Sequence, residues 1–384
     1  MVIENPPDKI LRTWKIKLKN TDLLKPIFQK WFYDYKYAYN KAKWLIDTTT
    51  SHYSDIDLRN LIIPKEVNSH IPWFLETPKD IRAEAVFEIV KNYKTAFTNL
   101  KNKNIKFFEM GFMKKRLKKT RYCFGLPGTA IKVIDSKCIQ IYPSYTNNFC
   151  IKTSKKIPDY CIKNKHLLKE HKIYFNGESF YLLLTIERNQ IIIKNRSKLT
   201  AIDPGVRKLV TTWAPETERN KSSYSFGSRK SIQIRDLLRK RDMYQSCKDF
   251  KNYNKVEIRI KNLTDELHHR TSTFLCKNYS SIILPELDVR SLIKKTQSKQ
   301  YRKTMLRMRI KGFNNLLKTK AEIYNTKIIC NSVTEAYSSR LCSSCRVINK
   351  KCSNSIKNCS NCGLCIDRDI NGAKNIYYMN KHLA

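Results

Sequence analysis

The stretch Cys342-Ser-Ser-Cys345 and Cys359-Ser-Asn-Cys362, followed at once by Asp367-Arg368-Asp369-Ile-Asn-Gly-Ala-Lys-Asn375, sets a four-thiolate knuckle directly before an acidic helix start. Thirteen residues separate the two Cys-x-x-Cys pairs. That spacing suits a tetrahedral structural zinc site, because each short knuckle aims two sulfurs at one ion and the intervening loop closes the tetrahedron. Disulfides would use the same four residues only in an oxidising compartment. Cys362-Gly-Leu-Cys365 forms an overlapping pair that competes for the same ion. The carboxylates that follow are hard oxygen ligands, so a second, catalytic metal of a different kind is expected beside the zinc.

Working outward, 384 residues with 41% hydrophobic content, 16 Phe and 21 Tyr can fill the cores of two or three domains. A disordered polycation is excluded. Against that background, 75 Lys+Arg and 33 Asp+Glu leave a net charge of +42, which opposes compaction unless a polyanion neutralises it. The expected partner is nucleic acid, bound with a steep salt dependence. The 13 Cys are an odd number and the N-terminus lacks a signal-peptide layout, so the chain is expected to be intracellular and reduced. No uncharged apolar run approaches the ~18 residues of a spanning helix, and no membrane role is expected. There is no G-x-x-x-x-G-K loop, so cleavage driven by ATP hydrolysis is not indicated.

Residues 11–19 alternate apolar and basic, as a strand with one cationic face does. Apolar residues then recur at helical spacing from Leu23 to Asp47 and from Asp80 to Leu100. Strand patterning returns at Ile139–Tyr142, Asn148–Lys152 and in the hairpin Lys172–Ile186, whose Asn176-Gly177 is a turn signal. A β element, a helical insertion and more β structure could close a small barrel. A second domain opens near residue 197. Strands are expected at Leu199–Asp203, Val206–Trp213, Ser223–Phe226, Ser280–Leu284 and Lys327–Cys330, with one long charged helix over Arg229–Tyr279. This order suits an α/β layer fold around a mixed sheet.

Within that fold, Asp203 stands where the strand Leu199-Thr-Ala-Ile stops at Pro204-Gly205, so its carboxylate should leave the sheet edge. An Asp capping a turn before Pro-Gly is also common. The layout recurs at Leu284-Pro-Glu286-Leu-Asp288, and Asp367 and Asp369 complete an acid series. Carboxylates gathered from separate elements repel unless cations lie between them. Two Mg²⁺ about 3.5–4 Å apart would suit phosphodiester hydrolysis. Phe107, Phe108 and Phe112 stand among Lys101, Lys103, Lys106 and Lys114, a mixture suited to phosphates and stacked bases or to an ordinary solvated loop.

Four elements in this order, Ala201-Ile-Asp203-Pro-Gly205, Asp265-Glu-Leu-His268-His269, Ile282-Ile-Leu-Pro285-Glu286, and the knuckles with Arg368-Asp369-Ile-Asn371-Gly-Ala-Lys-Asn-Ile376, resemble the TnpB and Fanzor group of transposon-associated, RNA-guided DNA nucleases, relatives of the type V CRISPR effectors. The resemblance spans nearly the whole chain. It implies an α/β RuvC (RNase H-like) nuclease domain over 197–335 and 366–384, with a zinc-binding knuckle insertion over 336–365. It also implies a wedge-like N-terminal β-barrel over 1–20 and 101–196, interrupted by a helical recognition lobe over 21–100. The implied activity is Mg²⁺-dependent endonucleolytic cleavage of double-stranded DNA, directed by a guide RNA transcribed from the mobile element. A catalytically silent RNA-guided binding module and a guide-independent transposase or structure-specific nuclease are the alternatives.

The resemblance also bears on single residues. Bacterial members place the second-motif acid directly after the apolar strand, where this chain has Pro285, and Glu286 lies one residue later. A one-residue slip turns a strand side chain to the other face. The Fanzor branch, which this chain resembles more, loses that acid and uses a glutamate shortly before the knuckles, which here is Glu335. Asp203, Glu335 and Asp369 are therefore the expected Mg²⁺ ligands, with Glu286 the alternative to Glu335. Asp369 aligns with the family's aspartate and leaves Asp367 as the helix N-cap. Gly363, matching the family glycine, favours Cys342, Cys345, Cys359 and Cys362 for Zn²⁺. Arg346 replaces the corresponding glycine of the first knuckle, and Gly372 stands where relatives carry Ala. His268 and His269 diverge on a helix and are expected to be structural. The Fanzor-like features point to a nucleus, in a eukaryotic or giant-virus host, with a bacterial cytoplasm as the alternative.

Overall fold

The computed structural model describes residues 9–49, 53–63, 71–114, 121–159, 162, 170–205, 207–216, 221–287, 289, 293–294, 297–330, 333–350 and 354–384. The chain divides into two compact units, Leu11–Arg188 and Asn189–Ala384.

The first unit begins with β1 (Lys9–Lys19), in which Ile16 and Leu18 point inward and Lys15, Lys17 and Lys19 outward. Helices α1 (Lys25–Thr48), α2 (Asp55–Ile62), α3 (Pro72–Leu75) and α4 (Lys79–Lys101) follow. Strands β2 (Tyr122–Leu126), β3 (Ile131–Asp135), β4 (Cys138–Ile141), β5 (Ile151–Thr153), β6 (His171–Phe175) and β7 (Phe180–Asn189) complete a seven-stranded sheet in the order β2-β6-β7-β1-β5-β4-β3. Its core joins Ile16, Phe124, Ile173 and Leu182 to Phe28, Trp31, Tyr35, Ile81 and Ile89 of the helices. The β6–β7 hairpin turns on Asn176, whose Oδ1 accepts the amides of Glu178 and Ser179, and on Gly177 at φ 97°.

One sequence expectation is corrected here. The strand expected over Asn148–Lys152 starts only at Ile151, because Asn147 and Asn148 take left-handed turn conformations at φ 48° and 54°. Strand pairing sets Ile139 opposite Ile151 and brings the Cα atoms of Cys138 and Cys150 to 5.9 Å, a proximity that spacing alone does not reveal.

The second unit is built on a five-stranded mixed sheet of β8 (Ser197–Pro204), β9 (Val210–Trp213), β10 (Ser223–Phe226), β11 (Tyr279–Ile283) and β12 (Lys327–Ile329), ordered β10-β9-β8-β11-β12. β8, β11 and β12 run parallel and the other two antiparallel. Helices α5 (Ser228–Ser246), α6 (Phe250–Asn278), α7 (Lys299–Met308) and α8 (Ile310–Ile323) precede β12. The ribbon β13 (Ile356–Asn358) and β14 (Cys365–Asp367) leads into α9 (Arg368–Asn380). The single helix expected over Arg229–Tyr279 is two, α5 and α6. Lys248 turns left-handed at φ 55°, and Asp249 accepts the Asn252 amide at 3.1 Å as a new N-cap.

Each face of this sheet has its own cover. Ile202, Val210 and Ile282 pack with Ile234, Leu275, Phe313 and Leu317, whereas Leu199, Ala201 and Ile283 pack with Ile376 of α9. The period of two in β8 therefore points Leu199, Ala201 and then Asp203 toward α9. Among the described residues, no helix is long and apolar enough to cross a membrane.

Candidate metal centre

The four cysteines meet as the spacing suggests. One sulfur from each of Cys342, Cys345, Cys359 and Cys362 lies within 4.8 Å of all the others. Cys342 Sγ and Cys362 Sγ are 3.7 Å apart, and Cys345 Sγ and Cys359 Sγ 3.6 Å. A tetrahedron with Zn–S bonds of about 2.3 Å has edges of about 3.8 Å, so the set fits Zn²⁺. Backbone amides of Cys362 and Asn361 lower the Cys359 thiol to about 6, while burial and the neighbouring sulfurs raise Cys362 to about 11, as in a set of thiols that share protons. Cys365 lies exposed in β14, outside the cluster.

Both knuckles close through a left-handed residue. Gly363 does so at φ 69° without strain, and its amide donates to Cys359 O at 3.0 Å. Arg346 takes φ 63° in the first knuckle, at a cost of roughly 1–2 kcal/mol. Its guanidinium offsets part of that by donating to Asn375 Oδ1 at 3.2 Å and lying 5.1 Å from the Tyr378 ring centre.

The acids arrive from three elements. Asp203 ends β8, Asp369 lies in the first turn of α9, and Glu335 stands on the irregular segment before Cys342. Asp203 keeps part of its surface open, yet its carboxyl group is closely surrounded by protein. Burial raises its pKa to about 7, and the charges of Asp369 and Glu335 add to that rise against Arg368 and Lys208. Burial also raises Glu335. A Cβ on Gly372 of α9 would lie 2.5 Å from Asp203 Oδ2, so glycine lets the carboxylate rest directly on the helix. Glu286 does not join them: it is 75% exposed and faces Lys318 at 3.9 Å, beyond the buried Leu284 and Pro285. The slip past Pro285 turns it outward. Asp288 lies outside the described residues.

Asp367 caps α9, its Oδ1 accepting the amides of Asp369 at 2.8 Å and Ile370 at 3.2 Å. Burial alone would raise its pKa, but the Lys208 hydrogen bond and these amides lower it. Lys208 is the functional residue that sequence reasoning missed. Its Nζ lies 2.9 Å from Asp367 Oδ2 and 3.2 Å from Asp369 Oδ2, tying the β8–β9 turn to the start of α9. The available signal was a cation five residues after Asp203 in the same turn.

Of the other singled-out residues, His268 is structural. His268 is buried and bonds Met308 O through Nε2 at 2.8 Å, while Asp265 pairs with Arg309 at 2.9 Å. In the basic aromatic stretch, Phe107 is 82% exposed, Phe108 packs on Phe97, and the Lys43 ammonium sits 4.0 Å from the Phe112 ring centre.

The family described as Cas12f1-like, TNB domain matches residues 311–376, a span that holds Glu335, the four cysteines and Asp369. A protein described as a transposase in Paramecium bursaria Chlorella virus 1 is 25% identical over 384 residues, covering 96% of this chain and 86% of that one. A TnpB-like protein of Acanthamoeba polyphaga mimivirus is 23% identical over 323 residues, 77% of this chain. The match spans only 56% of that relative's length. Among solved structures, the mini-RNA-guided endonuclease CRISPR-Cas phi3 shares the fold at a TM-score of 0.51 and 11% identity, covering 97% of this chain and 92% of that one.

Proposed function

We propose, from its likeness to transposase and TnpB-like relatives, that the chain is a member of the TnpB and Fanzor family of transposon-associated proteins and an RNA-guided DNA endonuclease with a RuvC-like site. The observation that carries the reading is the convergence of Asp203, Glu335 and Asp369 from distant parts of the chain. Asp203, buried and within electrostatic reach of Asp369 and Glu335, holds its proton up to about 7, and such a carboxylate fits a divalent cation that prefers oxygen ligands. Asp203, Glu335 and Asp369 would hold two Mg²⁺. When bound, these ions would make an attacking water acidic and balance charge on the leaving oxygen of a phosphodiester.

The residues present do the rest. Gly372 leaves room for the Asp203 carboxylate, Asp367 caps α9, and Lys208 holds Asp369 from one side. The zinc knuckle braces the chain next to Glu335 and stays outside the chemistry. A net charge of +42 would hold a guide RNA and its DNA target through their backbones, leaving sequence choice to base pairing. The first unit is read as the wedge-like barrel with its helical recognition insertion.

The test starts with sequencing the RNA that copurifies with the protein, where one abundant species ending in a variable segment is expected. The complex should then cut duplex DNA matching that segment in Mg²⁺, and Asp203→Ala should keep the RNA and lose the cut. Guide-dependent binding without cleavage by the unsubstituted protein would overturn the endonuclease and leave a silent binding module.

A further inference from the structure

Glu335 lies on a segment with little secondary structure, between two clamps supplied by one helix. At the near end, Asn380 Oδ1 accepts the Thr334 amide at 2.8 Å, and Asn380 Nδ2 donates to Thr334 O at 2.8 Å and to Ile376 O at 2.8 Å. At the far end, Asn375 Nδ2 donates to Ser338 O at 2.8 Å and Leu341 O at 2.7 Å. Asn371 Nδ2 reaches Leu341 O at 2.8 Å and, more weakly, Ser338 O at 3.3 Å. Cys342, the first zinc ligand, follows immediately.

These three amides are buried to 1% exposure or less, in helix positions where an apolar residue would pack well. A buried amide is costly unless its polar atoms are paired, and here both ends of each are. Asn380 holds the N–H and the C=O of the same residue, as a neighbouring strand would, and so fixes both peptide planes around Thr334. On the other side of Glu335, its carbonyl accepts the Ser338 amide at 3.1 Å. The backbone of Glu335 is thus pinned from before and behind. The same helix carries Asp369 in its first turn and seats Asp203 against Gly372.

We propose that Asn380 is a positioning residue for Glu335, and that α9 is the common gauge setting all three carboxylates relative to one another. This rests on the reading of Glu335 as a metal-holding acid. Partners that orient a ligand without touching the metal typically contribute 10- to 100-fold in metal affinity.

The test titrates Mn²⁺ into the RNA-loaded protein, following bound ion by electron paramagnetic resonance, for the unsubstituted chain, Asn380→Leu, Glu335→Gln and the double variant. Zinc content is measured alongside. Expected are an approximately 10-fold weaker Mn²⁺ affinity in Asn380→Leu with full zinc content, and a double variant no weaker than Glu335→Gln alone, because Asn380 acts through Glu335. Additive losses, or unchanged affinity in Asn380→Leu beside a weakened Glu335→Gln, would overturn the positioning role and leave the metal reading standing. Unchanged Mn²⁺ affinity in Glu335→Gln would instead remove the reading of Glu335 itself. Should Asn380→Leu lose zinc or fail to fold, Asn380→Ser, which stays polar but cannot span Thr334, carries the same comparison.

Discussion

The tetracysteine site and the carboxylate centre are specified differently. The first draws four ligands from residues 342–362, each knuckle closed by its own left-handed turn. The second draws Asp203, Glu335 and Asp369 from a strand end, an irregular segment and a helix start. A local site keeps its geometry in spacing, so it is robust to what surrounds it. A dispersed one borrows its geometry from the elements that present it, here mostly α9, and its parts repel until a cation arrives. The difference predicts opposite contributions to folding: the zinc-bound thiolates should be needed for it, and the metal-free carboxylates should oppose it.

The largest effect should follow zinc removal. Structural zinc contributes about 10–16 kcal/mol to folding in isolated zinc-finger peptides. Chelation, or Cys359→Ser, is expected to open residues 338–365 to protease and to abolish Mn²⁺ binding at the neighbouring acids as the Glu335 segment loses its far clamp. Protease resistance without zinc would break the comparison at its first term.

Next in size is the pH response of the metal-free protein. The folded state holds a proton on Asp203 up to about 7, well above the ordinary carboxylate value of 3.8. The folded form therefore binds more protons than the unfolded form between these values, and stability must fall as pH rises from about 4 to 7 and level off above. Each unit of difference is worth about 1.4 kcal/mol. Asp203→Asn should remove the slope and raise the melting temperature above pH 7, and Mg²⁺ should do the same for the unsubstituted chain. A flat profile would mean that Asp203 is neither buried nor crowded by acids.

A smaller and more local effect is expected at Gly372. Glycine in a helix interior costs about 1 kcal/mol relative to alanine, so Gly372→Ala would stabilise an ordinary helix. Here the new Cβ would meet Asp203 Oδ2 at 2.5 Å. The gain should vanish and Mn²⁺ should bind more weakly, checked by melting and titration. A more stable variant with unchanged metal binding would show that Asp203 does not depend on this contact.

The same contrast explains what the residues revealed in advance. A four-cysteine site could be read from spacing, with the resemblance choosing Cys362 over Cys365, and Asp203 from a strand that stops at Pro-Gly. The strands of the second unit and their mixed sheet followed from apolar runs and turn signals, but their order in the sheet did not. Glu335 came only from family resemblance, since nothing around Val333-Thr-Glu335 distinguishes it from any exposed glutamate until α9 is placed beside it. Lys208 and Asn380 escaped for the same reason, as their partners lie 159 and 46 residues away. The split between α5 and α6 was missed because no Gly or Pro marks it. Asp249 with Asn252 was the only trace of a new cap.

The most direct test of the carboxylate assignment is the cleavage rate of guide-loaded Glu335→Gln and Glu286→Gln in saturating Mg²⁺. Glu335→Gln should fall by about 10²–10³-fold, the usual cost of removing one electrostatic stabiliser from an active site, while Glu286→Gln should cut at the unsubstituted rate. A loss confined to Glu286→Gln would contradict the assignment.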